Sequence, residues 1–309
     1  MVMSGIRRTA GDAATEWAFA SGWQAIRYMP EFAARRFFQE AADAAWLRHG
    51  RSIRQLERNL ARVHPELSDK SIRSMSMHGM RSYMRYWCEA FRLPSYGRDR
   101  IRRDFALHDQ RFLDEAMASG TGALMVVNHG GNWDLAGAWA ALTYGSVTTV
   151  AERLKPEGLF EKFLAYRRSL GMEILPLGDS ATFRTLAARL RAGGLVALVG
   201  DRDISRNGIE VDLLGQIASL PAGPALLAQL TGAPLYPVTL WFDGPMARGT
   251  IHPRIEVPVG LEREEATRAV TQAIADSFAV GLRDHAVDWH MLQPVWTADL
   301  DVRRRGDRS

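Results

Sequence analysis

Between residues 120 and 290, short apolar runs alternate with stretches of helical periodicity, and this restricts the fold more than any other feature of the chain. ALMVVN, SVTTVAE, MEILPL, LVALVGD, IEVDLL, LYPVTLWFD and TIHPRIEV have the length and composition of strands. Residues 134–144, 156–170, 181–192, 220–231 and 264–286 read as helices between or after them. Parallel strands need crossover connections of a dozen or more residues, which these helices supply. The expected core is therefore α/β, a central mostly parallel or mixed sheet flanked by helices.

The first hundred residues have a different texture. AATEWAFASGWQAIRYM carries aromatic and aliphatic side chains at helical spacing and ends at Pro30. EFAARRFFQEAADAAWL repeats the pattern, and DKSIRSMSMHGMRSYMRYWCEAFRL has the Met and aromatic stripe of a helix packed into a core. In RSIRQLERNLARV, Arg51, Arg54, Arg58 and Arg62 fall on one helical face. The expectation is one domain over residues 1–309: a helical layer at 1–105, an α/β core at 106–300 and a disordered tail at 301–309. No internal repeat or Gly/Ser linker divides it.

Composition narrows the function classes. The net charge is only +4, and no basic motif is interleaved with aromatics, which disfavours nucleic-acid binding. Of 39 Lys and Arg residues only Lys70, Lys155 and Lys162 are lysine. That bias reflects either genomic base composition or the suitability of Arg for bidentate phosphate binding. The single cysteine, Cys88, excludes an intrachain disulfide and suits a reducing compartment. No run approaches the ~18 apolar residues of a transmembrane helix. Polar residues follow Arg7 and Arg8 where a signal peptide needs an apolar stretch. The chain is expected to be soluble or attached to a membrane only at its surface.

The stretch VVNHGGNWDLAGAW, residues 126–139, carries the densest chemistry. His129 falls at the C-terminal end of a buried strand, where α/β sheets place their ligands. Gly130 and Gly131 permit a tight turn and close approach of a substrate. Asn132 and Asp134 lie where a helix begins, so either could serve simply as its cap. No H-x-x-x-H or HExxH spacing occurs, which argues against zinc. Read as chemistry, a histidine can take a proton from an alcohol, and a carboxylate on its other ring nitrogen fixes the tautomer. With G-x-S-x-G absent, the nucleophile would be a substrate hydroxyl in direct acyl transfer.

NHGGNWD resembles the H-x4-D/E motif of the bacterial lipid A lauroyl/myristoyl acyltransferases, within the wider glycerolipid acyltransferase group. The likeness is closest to the phosphatidylinositol mannoside acyltransferases of mycobacteria and related actinomycetes. VAERLKPEGLFEKFLAYRRSLG, DRDISRNGIEVDLLG, LPAGPALLAQLTGAPLYPV, DWHMLQPVW and YWCEAFRLP extend it through most of the chain. The resemblance implies a glycerolipid acyltransferase-like fold. It also implies transfer of a long acyl chain, typically palmitoyl, from acyl-CoA to a mannose primary hydroxyl of phosphatidylinositol mannosides. The work would be done at the cytoplasmic face of the plasma membrane. No metal or organic cofactor is implied, acyl-CoA being a substrate. By position, His129 would be the base and Asp134 its partner. Glu152 and Arg167 would line the polar pocket, and Asp201 would lie near the base.

Asn132 and Arg202 complete the expected substrate-binding set. Arg202 and Arg206 follow a strand and could meet phosphate, or either could pair with Asp203. Arg98, Arg100, Arg102 and Arg103 form a basic cluster that could hold CoA phosphates or lipid headgroups, or lie in solvent. His290 in DWH is expected to be structural. Trp17, Phe19, Trp23 and Tyr28, with Arg7, Arg8 and Arg27, could dock the N-terminal helices on an anionic membrane surface, or the aromatics could be buried in the core.

Overall fold

A computed structural model describes residues 22–152, 157–179, 181–204 and 207–300. Its axis is strand β2 (Ala123–Val127), an almost wholly buried apolar run. Parallel neighbours β5 (Leu195–Val199) and β8 (Leu235–Asp243) flank it, with Met125 level with Ala197 and Tyr236. β3 (Val147–Ala151) and β4 (Met172–Pro176) continue the parallel sheet beyond β5. On the other side β9 (Met246–Ile251) turns back antiparallel to β8 and pairs with β1 (Phe105–His108). The seven strands run in the order β1-β9-β8-β2-β5-β3-β4.

Alternate residues of a strand face opposite sides. Leu124, Val126, Val196 and Leu198 therefore pack under helices Thr182–Arg191, Gly223–Thr231 and Arg263–His285. Met125, Leu195, Val238 and Leu240 pack under helices Arg111–Ala118, Trp133–Tyr144 and Glu157–Ser169. The expected α/β architecture with a helical N-terminal region is the one observed.

Several local expectations are corrected. Two short strands lie outside the expected runs: β1, only four residues long, and β7 (Gln216–Leu220), the hairpin partner of β6 (Ile209–Leu213). The hairpin turns on Leu214 and Gly215, both left-handed at φ 59° and 82°, as a two-residue turn requires. The run TIHPRIEV is a strand only to Ile251. His252 N still donates to Pro237 O and Ile255 N to Leu235 O, but Pro253 between them has no N–H and interrupts the ladder.

In the N-terminal layer, helix Arg51–Val63 buries Ile53, Leu56, Leu60 and Val63. Part of its arginine face is used internally, for Arg62 grips both oxygens of Asp299 at 2.6 and 2.8 Å and lies over Trp296. Helix Asp69–Arg92 crosses the core and brings Tyr86 and Glu89 to the turn after β2. Trp23 is turned inward, donating to Phe91 O at 3.0 Å and meeting Tyr166 edge-on, so it is no membrane aromatic. Tyr28 and Phe32, by contrast, are 75% and 78% exposed. Trp17, Phe19, Arg7, Arg8, Arg206 and the tail at 301–309 lie outside the described residues. No described helix is long and apolar enough to cross a membrane.

Candidate active site

The turn after β2 explains its own composition. Asn128 is buried, and its Oδ1 accepts from Leu240 N at 2.8 Å, tying the strand end to β8. A Cβ on Gly130 would run into Leu240 O and the Asn128 amide. One on Gly131, at φ +52°, would sit 2.8–2.9 Å from the Trp241 backbone. Two residues without side chains are what allow His129 to be presented over the sheet edge. Asn132 then caps helix Trp133–Tyr144, its Oδ1 accepting from Leu135 N at 3.0 Å.

The carboxylate that meets His129 does not come from the motif. Val127 of β2 is level with Val199 of β5, so the residues two further on, His129 and Asp201, emerge side by side. Asp201 Oδ1 lies 2.6 Å from Nδ1 of His129, and its Oδ2 accepts the His129 backbone N–H at 2.8 Å. Trp289 Nε1 donates to the same Oδ2 at 2.7 Å. Burial pushes the Asp201 carboxyl up, but the His129 charge and these hydrogen bonds outweigh it and hold Asp201 below the usual carboxylate range. An ionised Asp201 requires Nδ1 to carry the proton. Nε2 then presents its lone pair, the state a general base needs.

Asp134 is therefore corrected as the partner of His129. Its Oδ1 takes Arg167 Nε at 2.7 Å and its Oδ2 takes the Tyr86 hydroxyl at 2.9 Å, leaving it 2% exposed as a side chain. Burial disfavours the Arg167 cation, yet the Asp134 carboxylate holds its pKa above the ordinary guanidinium value. Burial and the Asp134 charge together push the Tyr86 phenol far up. The physical reason for the correction is direction: the first turn of the helix points Asp134 back beneath the turn, toward the helices that bring Tyr86 and Arg167.

Asn132 is corrected as well. It is 1% exposed, and its Nδ2 donates to Glu89 Oε2 at 2.9 Å while its Oδ1 caps the helix, so its amide serves the fold. Glu152, Arg167 and Arg202 do converge with His129 and Trp133 on the wall of a single cavity of about 630 Å³. Its interior is apolar, formed by Leu107, Met125, Trp139, Val147 and Leu195 between the sheet and helix Trp133–Tyr144. Arg202 Nε has no partner among the described residues. Asp203 accepts from Gly208 N at 3.0 Å. The basic cluster is drawn into surface ion pairs, Arg100 with Glu31 and Asp104, and Arg103 with Asp104. Among the described residues no three His, Cys, Asp or Glu side chains converge as a metal ion would require.

Sequence reasoning missed Tyr86 and Trp289, which reach the site from sequence separations of 48 and 88 residues to their carboxylates. His290 is structural, as expected. Burial pushes its imidazole down to about 3, keeping it neutral, and Ser82 Oγ lies 2.9 Å from its Nε2.

A histidine–carboxylate pair without a protein nucleophile, opening on an apolar cavity, defines a class of acyl-transfer site. Residues 6–298 match the family model described as bacterial lipid A biosynthesis acyltransferase, and the chain belongs to that family. It is an acyltransferase. A phosphatidylinositol mannoside acyltransferase of Mycobacterium tuberculosis is 43% identical over 306 residues, covering 98% of this chain and 93% of that protein. One of Mycolicibacterium smegmatis is 42% identical over 311 residues, covering 99% and 98%.

Proposed function

We propose that the protein moves a long acyl chain, palmitoyl or similar, from acyl-CoA to a mannose primary hydroxyl of phosphatidylinositol mannosides. The observation that carries this reading is the His129–Asp201 pair beside the apolar cavity, in a chain whose relatives bear that name. The acyl chain lies in the cavity with its thioester at His129. Nε2 takes the sugar hydroxyl proton as the oxygen attacks the thioester carbonyl. The tetrahedral intermediate collapses by expelling the CoA thiolate, which recovers the proton from the imidazolium. Asp201 holds the tautomer and stabilises that imidazolium. Glu152, Arg167 and Arg202 contact the glycan and phosphate at the mouth. No cofactor takes part.

The acceptor is a bilayer lipid, so the enzyme works as a peripheral protein at the cytoplasmic face of the plasma membrane. Tyr28 and Phe32 give it exposed aromatics for the interface, with the Arg27 guanidinium over the Tyr28 ring. Binding to anionic vesicles falls with salt, because about 1 kcal/mol per basic residue is screened. The deciding test is mass spectrometry of the product formed by the purified enzyme from palmitoyl-CoA and defined mannosides. A palmitoylated mannose confirms the reading. Acylation of a lipid A precursor or lysolipid, with the mannosides untouched, sinks it.

A further inference from the structure

Residues Asp288, Trp289 and His290 form a strap across the turn that presents His129. Gly131 N donates to Asp288 O at 3.1 Å, and His290 N donates to His129 O at 2.7 Å. Gly130 and Trp289 make an antiparallel bridge between these contacts. The strap is itself anchored, since the Asp288 carboxylate accepts from Ser82 Oγ at 2.5 Å and from Phe242 N at 3.0 Å. Trp289 is fully buried and meets Trp296 edge-on. Its position is therefore rigid, and its one polar atom is aimed at Asp201.

We propose that Trp289 is a positioning residue of the acyl transfer: its indole N–H pins Oδ2 of Asp201 so that Oδ1 faces Nδ1 of His129. The proposal rests on His129 being the base. A carboxylate turns about a broad sp³–sp² torsion, so nothing intrinsic fixes which oxygen faces the imidazole. Two donors on Oδ2, the His129 backbone N–H and the indole, supply that preference. Indole nitrogen is a donor only, so Oδ2 must stay an acceptor and cannot carry a proton. Trp296, equally buried, spends its indole N–H on a backbone carbonyl, Leu213 O at 3.0 Å, whereas Trp289 spends its own on the carboxylate that meets His129.

Removing that donor leaves more negative charge on Oδ1, which stabilises the imidazolium. The base is then protonated at higher pH, and the acid limb of kcat moves up. The other titratable and charged groups around the pair are unchanged by the substitution: His290, kept neutral by burial, Glu152 after β3, Arg202 and Asp203 after β5, and the Asp134–Arg167 pair from the two helices, while the Asp288 carboxylate is turned toward Ser82 and Phe242.

The experiment compares Trp289→Phe with the parent in steady-state acyl transfer from palmitoyl-CoA across pH. The expected result is a fall in kcat of about 10–100-fold, the effect of one charge-assisted hydrogen bond, with KM for both substrates nearly unchanged. The acid limb shifts upward. In the Asp201→Ala background the same substitution costs nothing further, because the acceptor is already gone. An unmoved limb, or an equal loss in the Asp201→Ala background, overturns the proposal. If the Phe variant fails to fold, benzothienylalanine at position 289 keeps both rings and exchanges only N–H for sulfur. Parent-like kcat and limb in that protein overturn the proposal too. The downfield Nδ1 proton resonance of His129, followed by NMR without any acceptor, must titrate at higher pH in the variant. Full turnover by His129→Ala would instead remove the reading of His129 as the base, a separate failure.

Discussion

Two buried carboxylates flank the His129 turn, and they are held in opposite ways. Asp134 belongs to the start of helix Trp133–Tyr144 and is locked by a guanidinium and a phenol. Asp201 belongs to the end of β5, 72 residues from His129, and is held by one backbone N–H, one indole and the imidazole itself. The first is a charge-compensated brace between helices, the Asp134 anion out of water and the Arg167 cation reaching the cavity wall. The second is a charge kept ionised beside a histidine that opens on the cavity. The carboxylate five residues from the histidine is thus tied to Arg167 and Tyr86, and the distant carboxylate is the one that meets the imidazole.

The sharpest way to break this contrast is by turnover. His129→Ala should lower kcat by about 10²–10⁴-fold, the usual worth of general-base catalysis. Asp201→Asn should fall at least as far for a specific reason. The Asn oxygen can accept from His129 N and Trp289 while its amide donates to Nδ1, so the fold survives. The imidazole proton is then forced onto Nε2 and the base is lost, a change of tautomer worth up to about 10⁴-fold. Melting temperature should change little in either variant. If Asp201→Asn kept parent-like kcat, the assignment of the two carboxylates would be reversed.

Asp134→Ala should show the complementary pattern. Deleting one partner leaves Arg167 buried and uncompensated, at a cost of roughly 3–5 kcal/mol of stability. Thermal unfolding measures it. Replacing both partners with apolar residues, Asp134→Leu with Arg167→Met, should recover much of that stability, since a buried pair adds little over good packing. A double variant no more stable than Asp134→Ala alone would show that the brace is more than a compensated pair.

A third test uses acid. The folded Asp201 carboxyl lies below its free value of 3.8, so its contribution to stability is present above that pH and is lost as pH falls through the lower folded value. Asp201→Asn should remove this part of the acid-unfolding profile, leaving a flatter dependence of stability on pH below about 4. An unchanged profile would mean that Asp201 is not held ionised by its partners. The smallest effect on turnover belongs to Asn132→Ala, which should cost roughly 2–4 kcal/mol of stability, for the lost helix cap and the donor lost to buried Glu89, and leave KM for both substrates unaltered. A raised KM would restore Asn132 to the substrate pocket.

Much of this molecule is legible in local sequence because its physics is local. Alternation of apolar runs and helical periods dictates an α/β fold, since each run can be buried on both faces only inside a crossover-connected sheet. Gly130 and Gly131 announce a turn no side chain could enter, and Asn132 announces a cap; both follow from backbone geometry within a few residues. The apolar arc of helix Arg51–Val63 was readable, but its arginine stripe was not, because Asp299 and Trp296 lie far along the chain. Trp23 could have faced a membrane or the core, and only Phe91 and Tyr166 settle the matter. The partner of His129 is of the same kind. Sequence spacing offers Asp134, whereas strand pairing between β2 and β5 sets Val127 against Val199 and so brings Asp201 alongside. Register, a property of how strands lie in a finished sheet, chose the carboxylate. The sequence by itself determined the strand, the turn and the histidine at its end; tertiary structure decided what that histidine touches.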